Sequence, residues 1–95
     1  MDQRREALAH ANRVRMQRAL LKADLKRGSV SIEALIADPP ECLTSAKVAE
    51  VLMALPGYGR TKVARLLERC HVSARKSVGG LTERQRDELI RALET

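Results

Sequence analysis

The segment Ala54-Leu55-Pro56-Gly57-Tyr58-Gly59-Arg60-Thr61-Lys62-Val63-Ala64 decides how this chain folds and what it can bind. Two glycines flank one aromatic residue, a proline precedes them, and a basic helical pattern follows. Gly57 and Gly59 permit backbone angles that a side chain forbids, so we expect a sharp turn with exposed amides. A helix that begins near Arg60 directs its unpaired N–H groups toward that turn, and Lys62 and Arg65 add positive charge. Together these features suit a phosphate of a nucleic-acid backbone.

The composition is that of one small, aliphatic and basic domain. The 95 residues include no Trp, no Phe and one Tyr, so the core has to be built from Leu, Val, Ile, Ala and Met. A net charge of +6 and a pI near 10.0 favour a polyanionic partner. No apolar run approaches the ~20 residues of a membrane helix, and no signal peptide is recognisable, so we expect a cytoplasmic protein without membrane contact. Cys42 and Cys70 lack metal-ligand spacing, which predicts reduced thiols, a buried Cys70, and neither metal nor cofactor.

The charge is unevenly distributed along the chain. Residues 1–27 carry eight Lys or Arg against three acids, residues 55–95 carry nine against five, and residues 28–54 carry one against four. The middle therefore looks like scaffold and the two ends like contact surface. We divide the chain into a basic N-terminal helix, 1–27, and a binding domain, 28–95.

The sequence predicts an all-α fold, a small bundle of about five helices with a long basic helix first. Asp2 to about Lys26 contains no Gly or Pro, and Gly28 is suited to end that helix. A short second helix is expected over Ser31–Ala37, stopped by Asp38-Pro39-Pro40.

Three further helices are predicted from caps and apolar spacing. The third follows a Thr44 or Ser45 cap, the fourth spans about Arg60–Arg69, and the fifth opens on the capping box Thr82-Glu83-Arg84-Gln85. The third helix has the apolar face Val48, Val51, Leu52 and Leu55, and the fourth directs Val63, Leu66, Leu67 and Cys70 inward. The fifth places Arg86, Leu89, Ile90 and Leu93 along one side.

The loop between the fourth and fifth predicted helices, Val72–Thr82, also combines charge with glycine. It contains the adjacent pairs Arg75-Lys76 and Gly79-Gly80, just before a helix N-terminus. The loop would form a second anion-binding element near the first. Two such turns between helices are typical of the helix–two-turns–helix motif.

Residues about 46–93 resemble the helix–two-turns–helix region of the head protein of the small ribosomal subunit, and more closely the actinobacterial integration host factor family. The residues that carry the resemblance are Lys26-Arg27-Gly28, Ala54-Leu55-Pro56, Gly57-Tyr58-Gly59, Lys62, Ala64, Arg75-Lys76, Gly80-Leu81 and Arg84-Gln85-Arg86. The similarity extends over nearly the whole chain, although Ser77 and Val78 depart from the family pattern. It implies a non-enzymatic, nucleoid-associated protein that binds double-stranded DNA with little sequence preference and bends it. It also implies assistance to site-specific recombination, with a phage integrase complex as a partner.

Carried over by position, the resemblance implies two DNA contacts. Residues 55–62 would hold one backbone, and residues about 73–85, a lid in this family, would hold a second segment. The full set of predicted DNA-binding residues is Leu55, Pro56, Gly57, Tyr58, Gly59, Arg60, Thr61, Lys62, Arg65, Arg75, Lys76, Gly79, Gly80, Arg84 and Arg86. We expect the protein to act as a monomer.

Other interpretations stay open at this stage. An RNA-binding protein of the ribosomal type would use the same fold, with the basic first helix lying on RNA. An enzyme acting on DNA is less favoured, because it needs a pocket for a flipped base and the acids here are scattered. Tyr58 is better suited to plug the hairpin than to stack on a base, and Lys62, Arg65 and Arg69 could form an ordinary solvated face.

Overall fold

The computed structural model describes the backbone of residues 2–94 and the side chains of residues 4–94. Met1 and Thr95, the outermost residues of the two predicted segments, lie outside the described range. The helices are α1 (Asp2–Arg27), α2 (Ile32–Ala37), α3 (Glu41–Thr44), α4 (Val48–Leu52), α5 (Arg60–Arg69) and α6 (Glu83–Glu94), with a 3₁₀ turn at Val78–Gly80. Within residues 2–94, β pairing is limited to the isolated bridge between Lys47 and Ser77. The predicted all-α fold is confirmed.

The long first helix ends at glycine, as its sequence predicts. Gly28 has a φ of 76°, in the left-handed region that glycine adopts without strain. Its N–H donates to the Leu25 carbonyl at 3.1 Å, and the Ser29 N–H donates to the Asp24 carbonyl at 2.9 Å. This pair of bonds is a Schellman motif, which satisfies two carbonyls that the helix end would leave unpaired.

Helix α1 packs on the domain through its second half. Leu25 is buried, while Val14 and Leu21 pack against the core from its edge. Arg18 donates from Nε to the Cys42 carbonyl at 3.0 Å and from Nη2 to the Ser45 hydroxyl at 3.0 Å. By contrast, the side chains of residues 4–10 are all exposed. The first turns of α1 therefore extend beyond the core, consistent with the 48 Å long axis of the molecule.

The third predicted helix begins later than expected, at Val48, and its predicted cap is wrong; the short helix α3 before it was not predicted. Thr44 is the last residue of α3, where its hydroxyl donates to the Glu41 carbonyl at 2.8 Å. Helix α4 follows Lys47, which provides no side-chain cap. The reason is a partner distant in sequence: the Val48 N–H donates to the Lys76 carbonyl at 2.9 Å. A long-range backbone bond thus replaces the local cap that the sequence suggested.

The predicted inward faces form one aliphatic core. Val48, Val51 and Leu52 of α4 are buried with Val63, Leu66, Leu67 and Cys70 at α5 and Leu89 of α6, while Leu55, Ile90 and Leu93 pack at its edge. Both cysteines are buried and free. No polar or charged residue is buried among residues 4–94, so apolar burial holds the domain together.

The capping box of α6 forms as predicted. The Thr82 hydroxyl accepts from the Gln85 N–H at 3.1 Å, and the Gln85 side-chain oxygen accepts from the Thr82 N–H at 3.1 Å. Gln85 Nε2 also donates to the His71 carbonyl at 3.2 Å. The start of α6 is therefore tied to the end of α5, which fixes the loop between them at both ends.

Candidate nucleic-acid interface

The hairpin between α4 and α5 is a tight turn built around Pro56 and Gly57. The Tyr58 N–H donates to the Leu55 carbonyl at 3.2 Å, which closes a four-residue turn. Gly57, at its third position, has a φ of 80°. Proline at the second position and a positive φ at the third are the features of a type II turn, which requires glycine there. The expectation that Gly57 enables a sharp turn is thus confirmed.

Gly59 has a different reason to be glycine. Its φ of −87° and ψ of 178° are ordinary extended values that any residue adopts, so the prediction of a forbidden backbone angle is wrong at this position. A Cβ built on Gly59 would meet no atom within 4 Å. Because Gly59 is the residue before α5, the missing side chain leaves open space directly in front of that helix.

Helix α5 begins with unsatisfied backbone donors. None of the described residues gives it a side-chain cap, and the first N–H to reach an acceptor is that of Val63, bonded to the Gly59 carbonyl at 3.0 Å. The N–H groups of the preceding residues, Arg60, Thr61 and Lys62, have no carbonyl within the helix to bond. The partial positive charge of the helix end and the side chains of Arg60 and Lys62 reinforce one another. This arrangement attracts an anion.

Tyr58 connects the hairpin to the cationic side chains. Its half-buried side chain packs against the core, as expected for a hydrophobic plug. The Lys62 ammonium lies 4.2 Å from the centroid of its ring, a cation–π contact. Tyr58, Lys62 and Arg65 line one cleft together with Arg69. The hairpin thus brings together a helix N-terminus and the exposed cations of α5.

The part of the predicted lid that precedes α6, Ser73–Gly80, is called the lid from here on, and it is fastened at the beginning of α4. The Val78 N–H donates to the Ala46 carbonyl at 2.9 Å, beside the bond from Val48 to Lys76. Val78 is buried, and the Ser77 hydroxyl accepts from the Gly80 N–H at 3.1 Å. Ser77 and Val78 therefore hold the lid in place.

The glycines of the lid are used for packing. A Cβ on Gly79 would lie 2.9 Å from the Thr44 carbonyl oxygen, and the Gly80 N–H is already bonded within the lid. Of the basic pair, Arg75 is exposed and Lys76 is half-buried. The lid therefore presents cationic side chains, above all Arg75, whereas the expectation of an open glycine backbone does not fit its geometry.

The hairpin and the lid lie at opposite ends of α4. The lid is bonded at Ala46 and Val48, and the hairpin follows the last residue of α4, Leu52. A five-residue helix is about 7.5 Å long. The two elements are neighbours that present separate surfaces.

The predicted residues of α6 lie away from the hairpin. Arg84 is exposed, pairs with Glu88 at 3.3 Å, and borders a surface cleft with Arg69 and His71 at the C-terminal end of α5. Arg86 points inward, where its guanidinium donates to the carbonyls of Ile36 and Leu81. The expectation that Arg86 contacts DNA therefore does not fit its placement, because its donors hold α2 and α6 together.

Two cations of α1 border the hairpin and were not among the predicted site residues. Lys22 and Lys26 line one side of a groove whose other side is Met53–Gly57. Lys22 also pairs with Glu50, and this hydrogen bond lowers the pKa of the Glu50 carboxyl. Lys26 has no such partner among the described side chains. The sequence signals were the excess of Lys and Arg in residues 1–27, which indicated a contact surface, and the place of Lys26 among the residues that carry the resemblance.

Other kinds of site receive no support from the described part of the chain. No group of three His, Cys, Asp or Glu side chains within residues 4–94 is placed to hold a metal ion. None of the helices described is long and apolar enough to cross a membrane. Burial raises the pKa of the Cys70 thiol, which keeps it protonated.

Comparison with known proteins places this geometry in a family. Residues 25–93 match the family model of the S13-like H2TH domain. The chain is 34% identical over 91 residues to the integration host factor of Mycolicibacterium smegmatis, covering 94% of this chain and 87% of that protein. It is 33% identical over 86 residues to the integration host factor of Streptomyces coelicolor, covering 88% of this chain and 80% of the relative. A solved structure described as "Structure of sIHF bound to an 8bp palindromic DNA" matches with a TM-score of 0.80 and 29% identity, over 87% of this chain and 96% of that one.

Proposed function

This chain belongs to the integration host factor family and carries an S13-like H2TH domain, and on that premise we propose that it is an architectural protein of the nucleoid. It binds the backbone of double-stranded DNA with little sequence preference. The observation that carries the proposal is the start of α5: an uncapped helix end, open space at Gly59, and the exposed cations Arg60 and Lys62 beside it. Backbone amides and cations recognise phosphates, which position a protein on DNA without reading bases. The DNA in the structure of sIHF, a related fold, supports the same partner.

In the proposed function, the lid makes the second contact with DNA. Arg75 is exposed on an element that is fixed to α4 at the end opposite the hairpin. If both elements hold one duplex, its phosphates have to follow two surfaces that lie at opposite ends of α4. Bending the DNA makes this possible, at a cost of order 1–6 kcal/mol for a 20–30 base-pair site. We therefore include DNA bending in the proposed function.

The proposed function includes a role in recombination and an oligomeric state, the monomer. The relatives carry the name integration host factor, which supports a role in assembling the complex of a phage integrase on DNA. The protein acts there as a non-enzymatic monomer, which shapes the DNA while the recombinase performs the chemistry.

The test removes one cation from each contact. The variant Lys62→Ala/Arg75→Ala is compared with Arg13→Ala/Arg91→Ala, which loses the same charge from exposed positions outside the hairpin and the lid. Each phosphate contact contributes about 0.9 to the magnitude of the slope of log K against log salt. The slope of Lys62→Ala/Arg75→Ala should therefore be smaller in magnitude by about 1.8. The control retains the slope of the native protein. Equal affinity and equal slope for the two variants would overturn the residue assignment.

A further inference from the structure

We propose that one flank of α1, formed by Arg4, Arg15, Lys22 and Lys26, is a third DNA-contact surface that continues the hairpin contact along the duplex. The proposal deepens the function proposed above and rests on it. Its starting point is the groove in which Lys22 and Lys26 face Met53–Gly57. A backbone held at the hairpin passes directly beside these two lysines.

The spacing of the four cations keeps them on one side of the helix. They are separated by 11, 7 and 4 residues. At ~3.6 residues per turn, these separations are close to three turns, two turns and one turn. Arg4, Arg15 and Lys26 are exposed, and Lys22 is half-buried. We call this side of α1 the basic flank.

The opposite side of α1 has a different charge pattern. Glu6, Arg13 and Asp24 are separated by 7 and 11 residues, so they too share one side of the helix. His10, near the same side, lies 3.6 Å from Glu41. Arg27 pairs with Asp24, so the two carboxylates of that side are balanced by two guanidinium groups. The flank beside the hairpin therefore carries an excess of positive charge that the opposite side lacks.

The basic flank is not arranged as an ordinary solvated helix surface. A solvent-exposed helix commonly places acids three or four residues from its cations, where each pair stabilises it by about 0.2–0.5 kcal/mol. Neither Arg15 nor Lys26 has an acid at those positions. Instead Arg15 lies three residues before Arg18, and Lys22 lies four before Lys26. Arg15 and Arg18 repel one another, whereas the carboxylate of Glu50 balances the charge of Lys22. A polyanion along the flank relieves the repulsion that remains.

The length of the flank matches the repeat of DNA. Arg4 and Lys26 are 22 residues apart in one continuous helix, which corresponds to about 33 Å at 1.5 Å per residue. One turn of duplex DNA is about 34–36 Å long. A duplex lying along α1 therefore meets Lys26 near the hairpin and Arg4 about one turn away. The exposed first turns of α1 would then contact the DNA.

The experiment compares two charge reversals placed two residues apart, Arg15→Glu on the basic flank and Arg13→Glu on the opposite side. Both residues are exposed, and both variants lower the net charge of the chain equally. Loss of one phosphate contact with a salt slope of about 0.9 corresponds to roughly an eight-fold loss of affinity near 0.1 M salt. On a 30-base-pair duplex, Arg15→Glu is expected to weaken binding by at least that factor and to lower the salt slope by about one. Arg13→Glu is expected to weaken it less than about three-fold, through its effect on net charge alone.

Thermal melting shows whether each variant keeps its fold, and the pair Arg15→Gln and Arg13→Gln repeats the comparison if a charge reversal unfolds α1. Affinities within two-fold of each other for the two variants overturn the third contact, provided that the native protein binds DNA and Lys62→Ala/Arg75→Ala weakens it. If the native protein does not bind the duplex, the proposed function itself fails. If the native protein binds but the hairpin and lid variant binds equally well, the assignment of those two contacts fails. These failures are therefore distinguishable.

Discussion

The two hairpin glycines provide a prediction that separates folding from binding. Gly57 has a positive φ of 80°, whereas Gly59 is extended with a φ of −87°. At both positions an added Cβ would enter open space. Any effect of alanine on stability at these sites therefore comes from the backbone and not from a clash. The variants Gly57→Ala and Gly59→Ala should behave differently.

The backbone angles at the two positions determine how much each variant should change the free energy of unfolding. At Gly57, alanine in the left-handed region costs roughly 1–2 kcal/mol. The reduced freedom of the unfolded chain returns about 0.4–1 kcal/mol, so the net loss is about 1 kcal/mol. This corresponds to a fall in Tm of about 4–8 °C for a domain of this size. At Gly59, the same gain in the unfolded state offsets the roughly 0.5–1 kcal/mol by which alanine is a poorer N-cap than glycine. Its stability should stay within about 0.5 kcal/mol of the native protein.

DNA binding should show the reverse order of effects when it is measured below the melting transition. The Cβ of Gly59→Ala occupies the space in front of the α5 amides. This variant should therefore bind a duplex with about eight-fold lower affinity, which is the loss expected for one phosphate contact. Folded Gly57→Ala keeps that space open. Thermal melts and fluorescence anisotropy on the same samples measure both quantities. A Gly59→Ala protein that binds DNA as tightly as the native one would refute the assignment of α5 as the phosphate site.

Three further predictions concern stability. His71, the residue after the C-cap of α5, has a φ of 55°. His71→Gly should therefore raise stability by about 0.5–1 kcal/mol, and an unchanged or lower Tm would contradict this. Gly79 lies so close to the Thr44 carbonyl, at 2.9 Å from a built Cβ, that Gly79→Ala should cost about 1–3 kcal/mol in a denaturant melt, and a neutral change would show that the lid is not held there. The hydrogen bond from Lys22 lowers the pKa of Glu50 from its ordinary 4.5. The native protein should therefore be more stable than Glu50→Gln above about pH 4.5. Because the ion pair is partly exposed, the difference in the free energy of unfolding should be less than about 1 kcal/mol. The difference should vanish as the pH falls through the lowered pKa of Glu50. A difference that persists at low pH would exclude the charge as its source.

Local patterns in the sequence were sufficient to predict most of the helices. The limits of α5, the Gly28 terminus and the Thr82–Gln85 capping box depend on contacts within a few residues, and each is confirmed. The start of α4 at Val48 was not predictable in this way. It depends on the bond from Val48 to Lys76, whose partners are far apart in the sequence.

The site shows the same division between local and distant contacts. The turn at Gly57 could be predicted, since Pro followed by Gly in a four-residue turn has a local preference. The inward orientation of the Arg86 side chain could not be predicted, because the carbonyl that accepts its hydrogen bond belongs to Ile36 on another helix. Sequence alone also could not show that Gly79 packs on Thr44, or that Lys22 and Lys26 of α1 lie beside the hairpin. Each of these facts depends on how the helices pack together.

The central claim is that the hairpin and the lid bind the backbone of duplex DNA, and a salt titration tests it most directly. The native protein is titrated with a random duplex of about 30 base pairs across a salt series, with a matched RNA duplex as competitor. Several phosphate contacts predict a slope of log K against log salt of about −4 to −6, and preference for DNA over RNA. A slope near zero, or RNA binding equal to or tighter than DNA binding, would contradict the account, and the second result would indicate a ribosomal type of RNA binding instead.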